Sequence, residues 1–199
     1  MFRRVIKLIQ LKKKLFLIKK RNPNANFGAG FNLDIDTKVN VKKNKLLIGK
    51  NVYLRSNSDG YHAGMPFPTT ILVDKVGAEC IIGDNCRING TYIHAQKKIT
   101  IGKNSVIAAG VNIIDSNGHI LYSPNRTQGR DLPGEIFIGE NVWIGLNVII
   151  LKNTFIGNNS VISAGSVVKG IFPDNVLIQG NPAKIIKSLD IKHENSYTP

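Results

Sequence analysis

From residue 138 to residue 168 an aliphatic side chain falls at every sixth position without a miss: Ile138, Ile144, Ile150, Ile156, Ile162, Val168. Four places after each comes a small or β-branched residue, at Val142, Val148, Thr154, Ser160 and Ser166, until Phe172 breaks the rule. A period of six fits neither the 3.6 of a helix nor the 2.0 of an ordinary strand, so the chain is built of repeats. The same beat occurs upstream in shifted frames, as Val76, Ile82, Ile88 and as Ile101, Ile107, Ile113, with a fainter start around Ile35, Val41, Ile48 and Leu54. Asparagine sits three after the aliphatic residue at Asn51, Asn85, Asn104, Asn141, Asn147, Asn153 and Asn159. Asparagine and the glycines of the recurrent IGKN-like tetrads tolerate positive φ, so each hexad predicts a short strand and a tight corner.

The beat stops at one place. His119 falls on the next count after Ile113, where an aliphatic residue is due, and regular hexads resume only at Ile138. A second irregular stretch, RSNSDGYHAGMPFPTT, covers residues 55 to 70. Long excursions from a solenoid mark its binding face, and Tyr61, His62 and Phe67 are side chains of the kind that stack on sugars. The plainer account of His119, a histidine at a loop start with satisfied hydrogen bonds, stays open on the residues alone.

The net charge of +14 is concentrated at one end. Residues 1 to 33 carry nine Lys/Arg and no acid, which leaves +5 for the rest. As a helix, this segment would gather Phe2, Val5, Leu8, Ile9, Leu15 and Phe16 on about half the wheel, with Lys12 and Lys19 intruding. Residues 1–21 therefore predict either peripheral contact with an anionic membrane or a cap on the solenoid. The apolar run Leu15 to Ile18 is far too short to span a bilayer or form a secretory leader. Two cysteines, Cys80 and Cys86, make no disulfide framework, so a reducing cytoplasm is the expected compartment. The basic residues sit beside aliphatics rather than interleaved with aromatics, which argues against nucleic acid as partner.

The hexads, with NVWIG at 141–145, ISAGSVV at 162–168 and QGNPAKIIK at 179–187, resemble the hexapeptide-repeat acyltransferases, most of all the galactoside and maltose O-acetyltransferase group and the polysaccharide-biosynthesis O-acetyltransferases. The resemblance implies an all-β fold, a left-handed parallel β-helix over residues 30–187, with insertions near 55–75 and 119–135. A basic N-terminal segment at 1–29 would precede it and a tail at 188–199 would follow. It implies a homotrimer with sites between subunits and acetyl-CoA as co-substrate, without a metal. In that family a histidine lies two dozen residues before the Trp of VWIG and an asparagine about thirty before the histidine; here His119 stands 24 before Trp143, and Asn89 stands 30 before His119. His119 is thus the expected general base, drawing the proton from a sugar hydroxyl as it attacks the thioester.

Asn89, Asp115, Tyr122, Arg126 and Arg130 are the candidates for the acceptor side, Asp115 as the group that orients His119. Trp143, Gly145, Leu146, Ala164, Lys169, Gly180, Asn181, Pro182 and Lys184 are those for acetyl-CoA. The chain departs from its relatives at Lys169-Gly170-Ile171-Phe172-Pro173, where T-K-D-I-P is common, and at Leu146, where Ser or Ala is. N-acetylation of a nucleotide-linked amino sugar is the alternative activity. A zinc enzyme of the γ-class carbonic anhydrase type is remote, because the four histidines, His62, His94, His119 and His193, form no H-x4-H pair.

Overall fold

In a computed structural model the protein is described over residues 2–190, so the tail beyond 190, His193 included, lies outside the described residues. A helix, Phe2–Arg21, is followed by short strands in three sheets of seven, eight and six strands. Each strand pairs in parallel with the third before it and the third after it, so one coil supplies one strand to every sheet. The exception is the final strand, Ala183–Ser188, which turns back antiparallel on Val176–Gly180.

Register stacks the hexad beat into three continuous columns. Ile48, Ile82, Ile101, Ile138, Ile156 and Phe172 lie one above another in the first sheet. Leu33, Leu54, Ile88, Ile107, Ile144, Ile162 and Ile178 do so in the second, and Ile71, Ile93, Ile113, Ile150 and Val168 in the third. Nearly all are buried completely, each contributing about 1.5–3 kcal/mol.

All seven asparagines picked out by the repeat have positive φ, between 53° and 62°, and Asn175 joins them at 59°. Their carboxamides link successive coils: Asn51 donates to Asn85 at 3.2 Å, Asn85 to Asn104 at 3.1 Å, Asn141 to Asn159 at 3.0 Å and Asn159 to Asn175 at 3.1 Å. One corner glycine shows why nothing larger fits, since a Cβ on Gly102 would collide with the backbone of Gly139 in the next coil.

Several expectations are corrected. Ile35 and Val76 are not core beats: both sit in turns and are 41% and 97% exposed, while Leu33, Val73 and Ala78 hold the core beside them. Phe172, which breaks the small-residue rule, is 5% exposed and closes the top of the first column. The first strand, Ala25–Phe27, already pairs with Leu46–Ile48, so the solenoid begins within the segment assigned to the N-terminal appendage.

The helix covers the lower end. Leu11, Leu15 and Ile18 face the core, with Ile18 buried, whereas Ile9 and Phe16 turn outward, so the half-wheel grouping does not hold. The side chains of Phe2, Val5 and Leu8 lie outside the described residues. Buried Asn22 secures the junction, donating to the carbonyls of Ile18 (2.8 Å) and Val39 (3.3 Å) and accepting from the Val41 N–H (2.7 Å). Ile18→Ala is expected to lower stability by about 2 kcal/mol, and Phe16→Ala by less than about 0.5 kcal/mol, read from urea unfolding midpoints.

Candidate active site

Two excursions leave the solenoid, and each is pinched at its base. The chain departs at Ser56 and returns at Thr69, whose N–H donates to Ser56 Oγ (3.0 Å) while Thr37 shares that hydroxyl (2.7 Å). The second departs at Asp115 and returns at Gly134, whose N–H donates to the Asp115 carbonyl at 2.8 Å. The hexad count therefore ends at Asp115, and His119 is not held on a coil. It is exposed on the loop.

The first loop folds over the second sheet. Tyr61 Oη accepts the Ala109 N–H at 3.2 Å, and the Tyr61 and His62 rings lie 4.7 Å apart. Between this loop and the sheet opens a cavity of about 890 Å³. Its floor is the outward column Arg87, Val106, Trp143, Val161, Leu177, one residue per coil. Asn89, Gly145, Leu146, Ser163 and Ala164 edge it, and Arg55, Tyr61 and His62 close it from the loop side. Trp143 is 58% exposed and available to a ligand. Gly145 is required by packing, because a Cβ there would lie 2.6 Å from the Ala164 nitrogen.

Of the expected residues, Asn89, Trp143, Gly145, Leu146 and Ala164 thus share one cavity. The others lie away from it. His119, Tyr122, Arg126 and Arg130 are exposed on the second loop, where the Arg126 guanidinium binds the Ile120 and Leu121 carbonyls of its own segment. Lys169, Gly180, Asn181, Pro182 and Lys184 belong to the last coil and its hairpin. Asp115 is fully buried, and its carboxylate accepts the N–H groups of Gln96 (2.7 Å), Lys97 (2.7 Å) and Lys98 (3.0 Å). It organises the turn at 96–98 rather than touching the imidazole. Burial pushes its carboxyl above the usual range against the pull of those bonds.

The polar lining residues Arg55, Arg87 and Ser163 fall outside the expected set, as do Tyr61 and His62, legible only as aromatics in an insertion. Lys152 was missed as well. Its ammonium donates to Asp131 Oδ2 at 2.6 Å and to the Leu132 carbonyl at 2.9 Å, and Asp131 also accepts the Asn117 N–H at 3.0 Å. The Lys152 bond, then that of Asn117, holds the Asp131 carboxyl below the ordinary carboxylate range. Burial pushes the Cys80 thiol up to about 12 and the Cys86 thiol to about 11, so neither offers a thiolate near neutrality. Among the described residues no three His, Cys, Asp or Glu side chains converge as a metal-binding group.

A parallel solenoid with its open cavity on one sheet is the architecture of a class of transferases. Residues 135–170 match the bacterial transferase hexapeptide family (six repeats). Protein CapG of Staphylococcus aureus is 40% identical over 122 residues, 59% of this chain and 70% of that protein. The putative lipopolysaccharide biosynthesis O-acetyl transferase WbbJ of Escherichia coli K12 is 38% identical over 114 residues, 52% of this chain and 58% of that one. The structure of galactoside acetyltransferase in complex with coenzyme A covers 95% of this chain and 76% of its own at 24% identity, with a TM-score of 0.53. The chain belongs to the hexapeptide-repeat transferase family, and its solenoid is that family's left-handed parallel β-helix. It spans about three-fifths of the length of most of the curated relatives it matches.

Because Lys152 and Asp131 tie the second loop to the solenoid, Lys152→Met should speed amide hydrogen exchange across residues 117–132. Global stability should change by less than about 1 kcal/mol. Loop order should likewise fade in acid. A carboxyl held below its unfolded value stabilises above that value and is lost as pH falls through its folded pKa, so exchange should rise below the usual carboxylate range.

Proposed function

We propose that the protein is an acetyl-CoA-dependent O-acetyltransferase acting on a sugar hydroxyl of a glycan or polysaccharide precursor. The observation that carries the reading is the cavity itself. The apolar stretch of the floor from Val106 through Trp143 to Leu177, backed by the close Gly145–Ala164 corner, suits a thioester arm, and the buried Asn89 carboxamide at its edge suits a hydroxylated acceptor. Names of relatives, such as the O-acetyl transferase WbbJ and the galactoside O-acetyltransferase, support the same chemistry.

His119 is the proposed base, and it needs a neighbour. It leaves the solenoid at the end of the third sheet, after the strand Asn112–Ile114, whereas the cavity floor belongs to the second. In a homotrimer, the second loop of one copy lies against the cavity of the next. The neutral imidazole then accepts the hydroxyl proton as that oxygen bonds to the acetyl carbon. The carbon–sulfur bond breaks, and the proton passes to the leaving sulfur, giving the acetyl ester and free coenzyme A. The buried thiols at Cys80 and Cys86 favour this direct transfer over an acyl-cysteine route. His62, which lines the cavity within a single copy, is the second candidate base.

Thiol release with acetyl-CoA against sugars and amino sugars tests this reading. His119→Ala should lose about 10²- to 10⁴-fold in kcat while His62→Ala keeps most of it. The reverse ranking would move the base to His62, and unchanged turnover in both would remove base catalysis by histidine. Sedimentation should give a trimer.

The helix supports a peripheral site of action as part of the same proposal. Its outward face shows Ile6, Ile9 and Phe16 with Lys13 and Lys20, while the opposite face packs on the solenoid. No described helix is long and apolar enough to cross a membrane. Flotation with anionic liposomes should recover the full chain, with Ile9→Ser and Phe16→Ser together abolishing recovery and leaving the fold intact.

A further inference from the structure

The cavity is cationic and has no counter-charge of its own. Arg55 and Arg87 line it; no Asp or Glu does. Among the described residues neither arginine takes part in an ion pair.

Arg55 is also held in place. Its guanidinium carbon lies 5.6 Å from the Tyr53 ring centroid and 5.7 Å from that of Tyr61. Both rings are anchored in turn, as the Tyr53 hydroxyl donates to Asp34 (2.8 Å) and the Tyr61 hydroxyl accepts from Ala109 (3.2 Å). One Nη reaches the Asp59 carbonyl at 3.5 Å, but the buried Nε has no partner. Directly across the register, on the next coil, stands Asn89. Its Nδ2 is committed to the Ile107 carbonyl at 2.7 Å, while its Oδ1 is buried without a partner. An orphaned charged donor and an orphaned neutral acceptor therefore lie on adjacent coils, which pack about 4.8 Å apart. Unpartnered polar atoms of this kind destabilise the free protein and strengthen any ligand that satisfies them.

We infer that the acceptor is an anionic saccharide: its carboxylate or phosphate oxygen pairs with Arg55, and a neighbouring hydroxyl donates to Asn89 Oδ1. This rests on the transferase reading and names the substrate class that the cavity takes. A neutral sugar satisfies Asn89 and leaves Arg55 unpaired. Arg87, exposed on the outward side of its strand, adds attraction for the same charge.

Calorimetric titration of glucuronic acid, glucose 1-phosphate and glucose into the protein, with acetyl-CoA absent, tests the charge requirement without turnover. At least one anionic sugar should bind at least about 30-fold tighter than glucose, about 2 kcal/mol. Preference for glucuronic acid assigns a carboxylate, and preference for the phosphate ester assigns a phosphate. Arg55→Gln should bring the anionic-to-neutral ratio towards one, with Arg55→Lys restoring part of it. Arg87→Gln should shift the ratio less in the same direction, which keeps the inference testable should Arg55→Gln not fold. Under turnover, Arg55→Gln should raise KM for the anionic acceptor and leave KM for acetyl-CoA within about twofold. Equal binding of all three sugars overturns the inference, as does a rise in the acetyl-CoA KM alone, which would assign the arginines to the coenzyme phosphates. Selective binding of the anionic sugars without any thiol release would instead sustain the anion site and overturn the transferase reading.

Discussion

Every other feature depends on the exact superposition of one coil on the next. Backbone groups of each short strand pair only with the third strand before and after, so the polypeptide cannot turn a corner early or late without losing both its hydrogen bonds and its core residue. The left-handed backbone at the asparagine corners sets that interval. Their carboxamides then tie corner to corner between coils. The aliphatic columns supply most of the free energy, but they act only because the corners hold register.

Such a scaffold tolerates interruption at a corner and nowhere else. Both excursions leave and return through a bond across their base, so neither shifts the coil above it. Closing a flexible loop costs free energy that rises only slowly with length, which is why roughly a dozen or more residues fit at either point. The cavity combines the two kinds of structure. Its floor is a column of residues on the second sheet, and its rim is made of side chains from an insertion, with Arg55 at the joint between them.

The repeat made most of the fold legible, because a six-residue period leaves few alternatives and asparagine announces positive φ directly. Its phase was less secure at the edges. Val76 and Ile35 keep the count but lie in turns, since spacing alone cannot tell an inward aliphatic residue from an outward one once the frame shifts. His119 keeps the count too, yet the coil has already ended at Asp115, whose buried carboxylate takes three backbone N–H groups that no periodicity records. In the cavity, Trp143, Gly145, Leu146 and Ala164 were legible as a motif and Asn89 by its interval. Arg55 and Arg87 were not, nor was Lys152 at the base of the second loop, because Arg55 stands opposite Asn89 at a separation of 34 and Lys152 reaches Asp131 at one of 21, intervals that follow no local rule.

The split between rim and floor bears on how a base could work here. Within one copy the cavity offers His62, two arginines and no carboxylate, so a proton taken up there meets no acidic side chain to pair with. A base borrowed from another copy would approach best from the side away from Arg55 and Arg87. The second loop suits such a role: it is fixed to its own solenoid by Lys152 and Asp131, and its histidine is exposed rather than committed to the core. An anionic acceptor seated on Arg55 would supply the counter-charge that the cavity lacks, so the group that selects the sugar would also offset the positive charge of the two arginines beside the reacting atoms.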